Sequence, residues 1–445
     1  MKLQQMNNNP TYQQSMCASC ATSLESNTTT TRKRDDNETI TTANDTVRLV
    51  PELRFPEFQN AAEWRLEKLG NCLLQVPDYG VNAPAAPYSD KLPVYLRITD
   101  ISEDGQFISD GKVSVDVIAT VHNSLQVGDI VFARTGATVG KVYKYQKEDG
   151  PLVFAGFLIR VKPNASILNP DFLFQYLQTS EYKKWVEMTS TRSGQPGINS
   201  TEIESLVIPI PPTSAEQQKI AFFLQSIDNE IVTTKLKLDQ LKTHKKALLQ
   251  QLFPQRGKTV PELRFPEFQN TGEWQENMVG DAIKTLSPSK KLQSKEYKTI
   301  GKIPIIDQSQ AYICGYSDDA SAVLNRNSKE LIIFGDHTCT LKLVNFPFIQ
   351  GADGIKIFRS KTPKKLDTKF VYYMLLHIHI KPVAYKRHFM ELKNKKLLFP
   401  PLLHEQKKIA NVLQSIDDEI FATTNKLALL KSQKDALLQQ LFPHI

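Results

Sequence analysis

Cysteine is scarce in this chain and long apolar runs are missing. Of 445 residues five are cysteine: Cys17, Cys20, Cys72, Cys314 and Cys339. Cysteines so few and scattered exclude a disulfide scaffold and fit a reducing compartment. Cys17 and Cys20 form a CxxC pair, but a zinc site needs two further ligands at comparable spacing and none follows. No metal is expected. No apolar stretch approaches the roughly 18 residues that span a bilayer, and the N-terminus lacks the hydrophobic segment of a secretory signal. The expectation is a cytoplasmic protein with no membrane partner. Its 40% hydrophobic and 23% charged residues are ordinary for a globular chain.

Motifs of autonomous enzymes are missing too. A P-loop needs GxxxxGK(S/T), so that backbone amides wrap the phosphates. The nearest approach, Gly136-Ala-Thr-Val-Gly140-Lys141, is one residue short between its glycines and has Val142 in place of the magnesium-binding hydroxyl. A DNA adenine methyltransferase needs a polar residue, two prolines and an aromatic in sequence. The two pairs here, Pro211-Pro212 and Pro400-Pro401, follow Ile210 and Phe399 and precede Thr213 and Leu402. No GxGxxG occurs. Pro170-Asp171 with Glu181 and Lys183 formally matches a nuclease PD…ExK pattern. Such nucleases hold their carboxylates on adjacent strands, whereas the spacing here is helical with Pro170 at a helix start. A non-catalytic chain is expected.

What is abundant is repetition. Residues 50–60 read Val-Pro-Glu-Leu-Arg-Phe-Pro-Glu-Phe-Gln-Asn and recur at 260–270, each copy followed by a tryptophan, Trp64 or Trp274. A second block, 216–254, recurs at 405–443 with 26 identities in 39 positions. The stretches between, roughly 71–207 and 281–398, share no obvious similarity. Constant frames around divergent inserts imply one mechanical job done twice on two different ligands; duplication with drift alone would erode frame and insert together. Net charge is +8 and falls unevenly: 11 Lys+Arg against 13 Asp+Glu over 95–212, but 21 against 10 over 280–401. Residues 1–46, rich in Thr, Asn, Gln and Ser, cannot bury enough apolar surface to fold alone and read as a disordered tail.

The second block has heptad periodicity. Leu224, Ile227, Ile231, Thr234, Leu238, Leu241, Lys245, Leu248 and Leu252 alternate steps of 3 and 4, as do Leu413, Ile416, Ile420, Thr423, Leu427, Leu430, Lys434, Leu437 and Leu441. That is the a/d seam of a coiled coil, and recurring Thr and Lys within it fix register. Each helix starts after Pro-Pro and stops at Phe-Pro, Phe253-Pro254 or Phe442-Pro443. A tandem repeat with pseudo-twofold symmetry makes the pair antiparallel; the alternative leaves each helix packed on its own domain. Within the inserts, 128–136 and 329–336 read as strands bounded by turns. Asn169-Pro170-Asp171 reads as a helix start.

On these residues the chain resembles the type I restriction-modification specificity subunits. The resemblance runs from about Val47 to Phe442. Its carriers are Pro-Glu-Leu-Arg-Phe-Pro-Glu-Phe, Glu-Gln-x-Lys-Ile-Ala and Leu-Leu-Gln-Gln-Leu-Phe-Pro, each present twice, with Arg97-Ile-Thr-Asp100, Ala133-Arg-Thr-Gly136 and Gly335-Asp-His-Thr338 inside the inserts. It implies an α+β fold: two mixed α/β target recognition domains in tandem, separated by two long helices packed as an antiparallel coiled coil with pseudo-twofold symmetry. The segments expected are a tail (1–46), a first recognition domain (47–212), a first spacer helix (213–254), a linker (255–259), a second recognition domain (260–401) and a second spacer helix (402–445). It further implies that each domain reads one half of a bipartite target in double-stranded DNA. The partners would be two copies of a DNA adenine methyltransferase subunit and a translocating endonuclease subunit. The chain would hold no cofactor of its own; S-adenosylmethionine, ATP and Mg²⁺ would sit on the partners. The long polar N-terminal extension departs from the family pattern. A coiled-coil scaffold without DNA binding is the alternative, but it leaves the divergent inserts unexplained.

Base edges are read by Arg or Lys on guanine and by Asn or Gln on adenine, while other residues hold phosphates. Candidates in the first domain are Arg97, Thr99, Arg134, Thr135, Lys141, Arg192, Ser193 and Gln195. In the second they are Gln308, Ser309, Gln310, His337, Thr338, Lys342, Lys386, Arg387 and His388. The bland alternative for each is a solvated surface residue, and for His337 a turn residue satisfied by backbone.

Overall fold

In the computed structural model, residues 49–445 are described, apart from 192, 193, 289, 353, 384 and 385. The tail expected over 1–46 lies outside the described residues. Two long helices organise the rest: Ser214–Gln251 and Leu403–Leu441. The first begins where Thr213 accepts a hydrogen bond from Glu216 N, an N-cap directly after the Pro-Pro pair. Cross-helix ion pairs fix the direction. Lys245 meets Asp417 at 2.5 Å and Lys434 meets Asp228 at 2.6 Å; Lys237 meets Glu419 at 2.8 Å and Lys426 meets Glu230 at 2.9 Å. A residue late in one helix always meets one early in the other, so the pair is antiparallel. Along the shared seam Leu224, Ile231, Thr234 and Leu238 are buried, as are Leu413, Thr423, Leu430, Lys434 and Leu441. Ile227, Leu241, Lys245, Leu248, Ile416, Ile420, Leu427 and Leu437 are half-buried.

The two repeated blocks meet each other in space. Arg54 of the first block forms a two-pronged ion pair with Glu216 of the second, Nε to Oε1 at 2.7 Å and Nη2 to Oε2 at 2.8 Å. Arg264 and Glu405 repeat it at 2.8 and 2.9 Å. The neighbouring glutamine ties each helix to its insert: Gln217 accepts from Asn169 N, and Gln406 accepts from Asp367 N, both at 2.8 Å. Asn169 and Asp367 are themselves the N-caps of the helices Pro170–Tyr176 and Thr368–Ile378. Each long helix thus starts in its own half. It ends in the other. Phe253 packs on Trp274 and Phe370, with ring centroids 6.2 and 5.4 Å away, and Phe442 packs on Trp64 and Phe172 at 6.1 and 5.2 Å. The Phe-Pro pairs therefore stop the helices and also plug a core.

The inserts share an architecture that their sequences hide. In the first half the strands Asp78–Tyr79, Leu158–Val161, Ile130–Ala133 and Val142–Lys144 form one sheet in that order. In the second, Ile283–Leu286, Ile355–Ser360, Leu331–Gly335 and Leu341–Val344 form the matching sheet in the same order. Each half adds a second four-stranded sheet containing one parallel pair. That pair is Val94–Leu96 with Leu152–Phe154 in one half, and Ile303–Ile306 with Phe348–Gln350 in the other. The strands expected within 128–136 and 329–336 are Ile130–Ala133 and Leu331–Gly335, and they are structural equivalents. Both are wholly buried, which explains their unbroken apolar runs. A short antiparallel ladder, Arg65–Lys68 on Val207–Ile210 and Gln275–Met278 on Lys396–Phe399, closes each half beside the helix start.

Candidate nucleic-acid interface

The strand Ile130–Ala133 ends with Ala133 paired to Leu158, and Leu331–Gly335 ends with Gly335 paired to Ile355. The next residues, Arg134 and Asp336, are therefore equivalent, and their backbones are held alike. Arg134 N donates to Phe157 O at 3.0 Å and Asp336 N to Gly354 O at 2.6 Å. Their carbonyls accept from Ile198 N at 2.9 Å and His388 N at 2.8 Å. Thr135 continues this contact as a bridge to Gly197, and Gly136 N donates to Pro196 O at 3.2 Å. On the other side Phe389 N donates to Asp336 Oδ1 at 2.8 Å, and the His337 ring meets Lys386 O at 3.2 Å. In both halves a loop at the end of the central strand is clamped to the loop preceding a short helix. The sequence candidates on those four loops come together: Arg134, Thr135 and Gln195 in one half, His337, Thr338, Lys386 and Arg387 in the other. Arg192 and Ser193 lie outside the described residues.

A third loop belongs to each site. Leu96 pairs with Phe154 and Ile306 with Gln350, so Arg97 and Asp307 are equivalent. Thr338 Oγ1 donates to Gln308 O at 2.7 Å, and Gln310 Nε2 to Thr340 Oγ1 at 3.2 Å, which joins 308–310 to the central loop. Ser309 N is turned onto Asp307 Oδ1 at 2.8 Å. In the first half Arg97 folds back on Asp100 at 2.7 and 2.9 Å, and this hydrogen bonding raises its pKa. Thr99 is exposed beside it. Lys141 is drawn to Glu103 at 2.7 Å. Arg97 and Lys141 are thus neutralised within the protein, while Arg134 is not ion-paired among the described residues. Its guanidinium lies 4.9 Å from the Tyr79 ring centroid, a cation–π geometry, and its Nη1 reaches Gly156 O at 3.5 Å.

Lys342 and His388 depart from the expectation of surface contacts. Lys342 is 4% exposed, and its ammonium donates to Asp307 O at 2.8 Å and Ala311 O at 2.5 Å. Burial lowers its pKa. It pins the 307–311 loop and presents no charge to a ligand. His388 is fully buried, accepts from Val383 N at 3.3 Å and faces Glu391 at 3.4 Å. It anchors the loop that leaves Lys386 and Arg387 exposed. A polar side chain facing inward is indistinguishable in sequence from one facing out. Asp171 and Glu181 also find other partners, Lys144 and His444, and both lie on helices. Aromatic residues went unnoticed in the sequence: Tyr79 and Phe157 are exposed at the first site. Tyr79 stands between Asp78 and Gly80 and Phe157 between Gly156 and Leu158, and neither setting tells in sequence whether the ring is covered.

Comparison with known proteins agrees with this arrangement. The family model described as the type I restriction modification DNA specificity domain matches residues 85–243 and 271–432, once in each half. A type I restriction enzyme MjaX specificity subunit of Methanocaldococcus jannaschii is 27% identical over 401 residues, covering 80% of this chain and 88% of that protein. The EcoR124I/EcoR124II specificity subunit of Escherichia coli is 27% identical over 164 residues, 36% of this chain and 39% of that one. Among solved structures, the S subunit of a type I restriction-modification system from M. genitalium superposes with a TM-score of 0.66 at 16% identity, over 89% of this chain and 99% of that chain, and so shares the fold. No helix among the described residues is long and apolar enough to cross a membrane. With two family-domain matches placed on its two equivalent halves, the chain belongs to the type I restriction-modification specificity subunits.

Proposed function

We propose that each half reads one part of a bipartite, asymmetric DNA target, and that the helix pair is an antiparallel coiled coil that sets the distance between them. One observation carries this: equivalent loops, held by equivalent backbone hydrogen bonds, present different side chains in the two halves. A frame kept constant around varied polar tips is what direct base readout requires. The ion pairs support the coiled coil. Lys237–Glu419 and Glu230–Lys426 join g positions, which face each other only when helices run antiparallel, and the seam lysines Lys245 and Lys434 are answered by e-position aspartates. The chain acts without catalysis of its own. Two methyltransferase subunits dock around the helical region with S-adenosylmethionine, and a translocating endonuclease subunit joins with ATP and Mg²⁺. The site is cytoplasmic and the ligand is double-stranded DNA.

The test is genome-wide methylation profiling of cells carrying this chain with its methyltransferase. A single bipartite motif is expected, absent when either is deleted. Methylation that persists without this chain, or a contiguous motif, overturns the proposal. The purified chain alone should methylate and cleave nothing when given DNA, labelled S-adenosylmethionine, Mg²⁺ and ATP.

A further inference from the structure

Phe157 and Gly354 occupy the same place in the two halves. Each accepts the backbone hydrogen bond that starts its recognition loop, from Arg134 N or Asp336 N. A glycine is therefore enough for the fold there. At Gly354, φ is +95° and a Cβ would come within 2.8 Å of the Gln308 amide. The second half thus fills this place with an amide. The first half fills it with a phenyl ring that is 58% exposed. An exposed phenyl that the frame does not need loses hydration free energy only when a partner covers it.

Its neighbours say what that partner presents. Arg134 lies alongside, held over the Tyr79 ring, and Tyr79 is fixed by its hydroxyl, which donates to Ser200 Oγ at 3.3 Å and accepts from Ser200 N at 3.1 Å. Gln195 sits beside Gly136 on the clamped loop, its Nε2 3.3 Å from where a Cβ would stand. An exposed apolar ring thus stands in the turn whose carbonyls hold Arg134, and the loop that Arg134 begins has the Gln195 amide beside its Gly136. On the major-groove edge of DNA the apolar feature is the C5-methyl of thymine. We propose that Phe157 is a specificity-determining residue of the first half, packing on a thymine methyl while Arg134 and Gln195 address neighbouring base edges. This rests on the DNA-reading role proposed above.

The experiment uses the chain assembled with its methyltransferase and duplexes carrying the profiled motif. Each thymine of the first half-site is replaced in turn by uracil, which lacks only the methyl. Wild-type binding should weaken about fourfold at one position, the worth of one buried methyl group. Phe157→Ala should bind the thymine duplex about as weakly and become indifferent to that uracil, with an unchanged melting temperature because the ring is exposed. Phe157→Leu should keep part of the preference. Uracil in the second half-site should leave the effect of Phe157→Ala unaltered. A Phe157→Ala complex that keeps the wild-type thymine preference overturns the assignment. So does a first half-site without thymine, or a loss on Phe157→Ala that no uracil reproduces. A wild-type complex that selects no bipartite motif overturns the DNA-reading role itself, which separates that failure from this one.

Discussion

The two halves of this chain agree in the frame around the helices and differ in the loops at the ends of their central strands. Arg54–Glu216 and Arg264–Glu405 match in geometry, as do the Phe442–Trp64 and Phe253–Trp274 plugs. The loops do not. The first site is built on an arginine–tyrosine stack and an exposed phenylalanine, the second on an amide, a histidine and two exposed cations. The backbone hydrogen bonds beneath them are nevertheless the same. Packing and pairing therefore hold the frame, and the side chains at the tips differ without disturbing it. The charge count follows the same division: 11 Lys+Arg against 13 Asp+Glu over 95–212, but 21 against 10 over 280–401, where Lys386 and Arg387 are exposed.

The largest expected effect comes from breaking the equality of the two helices. Two residues inserted into one helix would rotate the seam by about 200° and expose its leucines, so assembly with the methyltransferase should be lost, as read by co-purification. One heptad inserted into both keeps the seam in register. It lengthens the rod by about 10 Å, which allows at most roughly three extra base pairs between half-sites. A heptad variant that stays active with an unchanged spacer would leave the helices as a docking surface only.

Next in size are the frame ion pairs. Arg54→Ala and Arg264→Ala each strand a buried carboxylate, which costs about 3–5 kcal/mol, and chemical denaturation should show similar losses for both. A large difference between them would break the equivalence of the halves. Smaller effects belong to the loops. Arg134→Ala should relax preference only in the half-site served by residues 71–207, and His337→Ala only in the other, by roughly ten- to a hundredfold where a base contact is lost. Equal damage to both half-sites would mean the side chain acts through folding or phosphate binding. The smallest effect is expected from deleting residues 1–46: a chain starting at Val47 should assemble and direct methylation to the same motif.

Repetition made the long helices and the frame legible, because a heptad seam is a local pattern and its second copy confirms its phase. The capped helix at Pro170 was legible for the same local reason. The contact of Arg54 with Glu216 was not, although both residues stand in repeated blocks, because 162 positions separate them. Nor was the common sheet order of the inserts, since a buried strand specifies only apolar character and many sequences satisfy it. Residue type and neighbouring glycines singled out Arg134 and Gln195, and the structure clamps their loops together. Lys342 and His388 were misplaced because polarity does not reveal the direction a side chain faces. The exposure of Phe157 was hidden for the converse reason.

The reciprocal locks across the helices have a consequence for how the chain chooses its own partner. Each helix carries one lysine and one aspartate at matching heptad positions, Asp228 with Lys245 and Asp417 with Lys434. The surface that complements the other helix therefore complements a copy of itself equally well. Charge alone does not tell an intramolecular pair from an intermolecular one. A short connection such as 255–259 would favour the intramolecular pair, by holding the second helix at a local concentration that separate molecules do not reach. A fragment carrying a single frame and insert would meet the same set of partners in a second fragment, and the product would be a symmetric pair in place of an asymmetric chain.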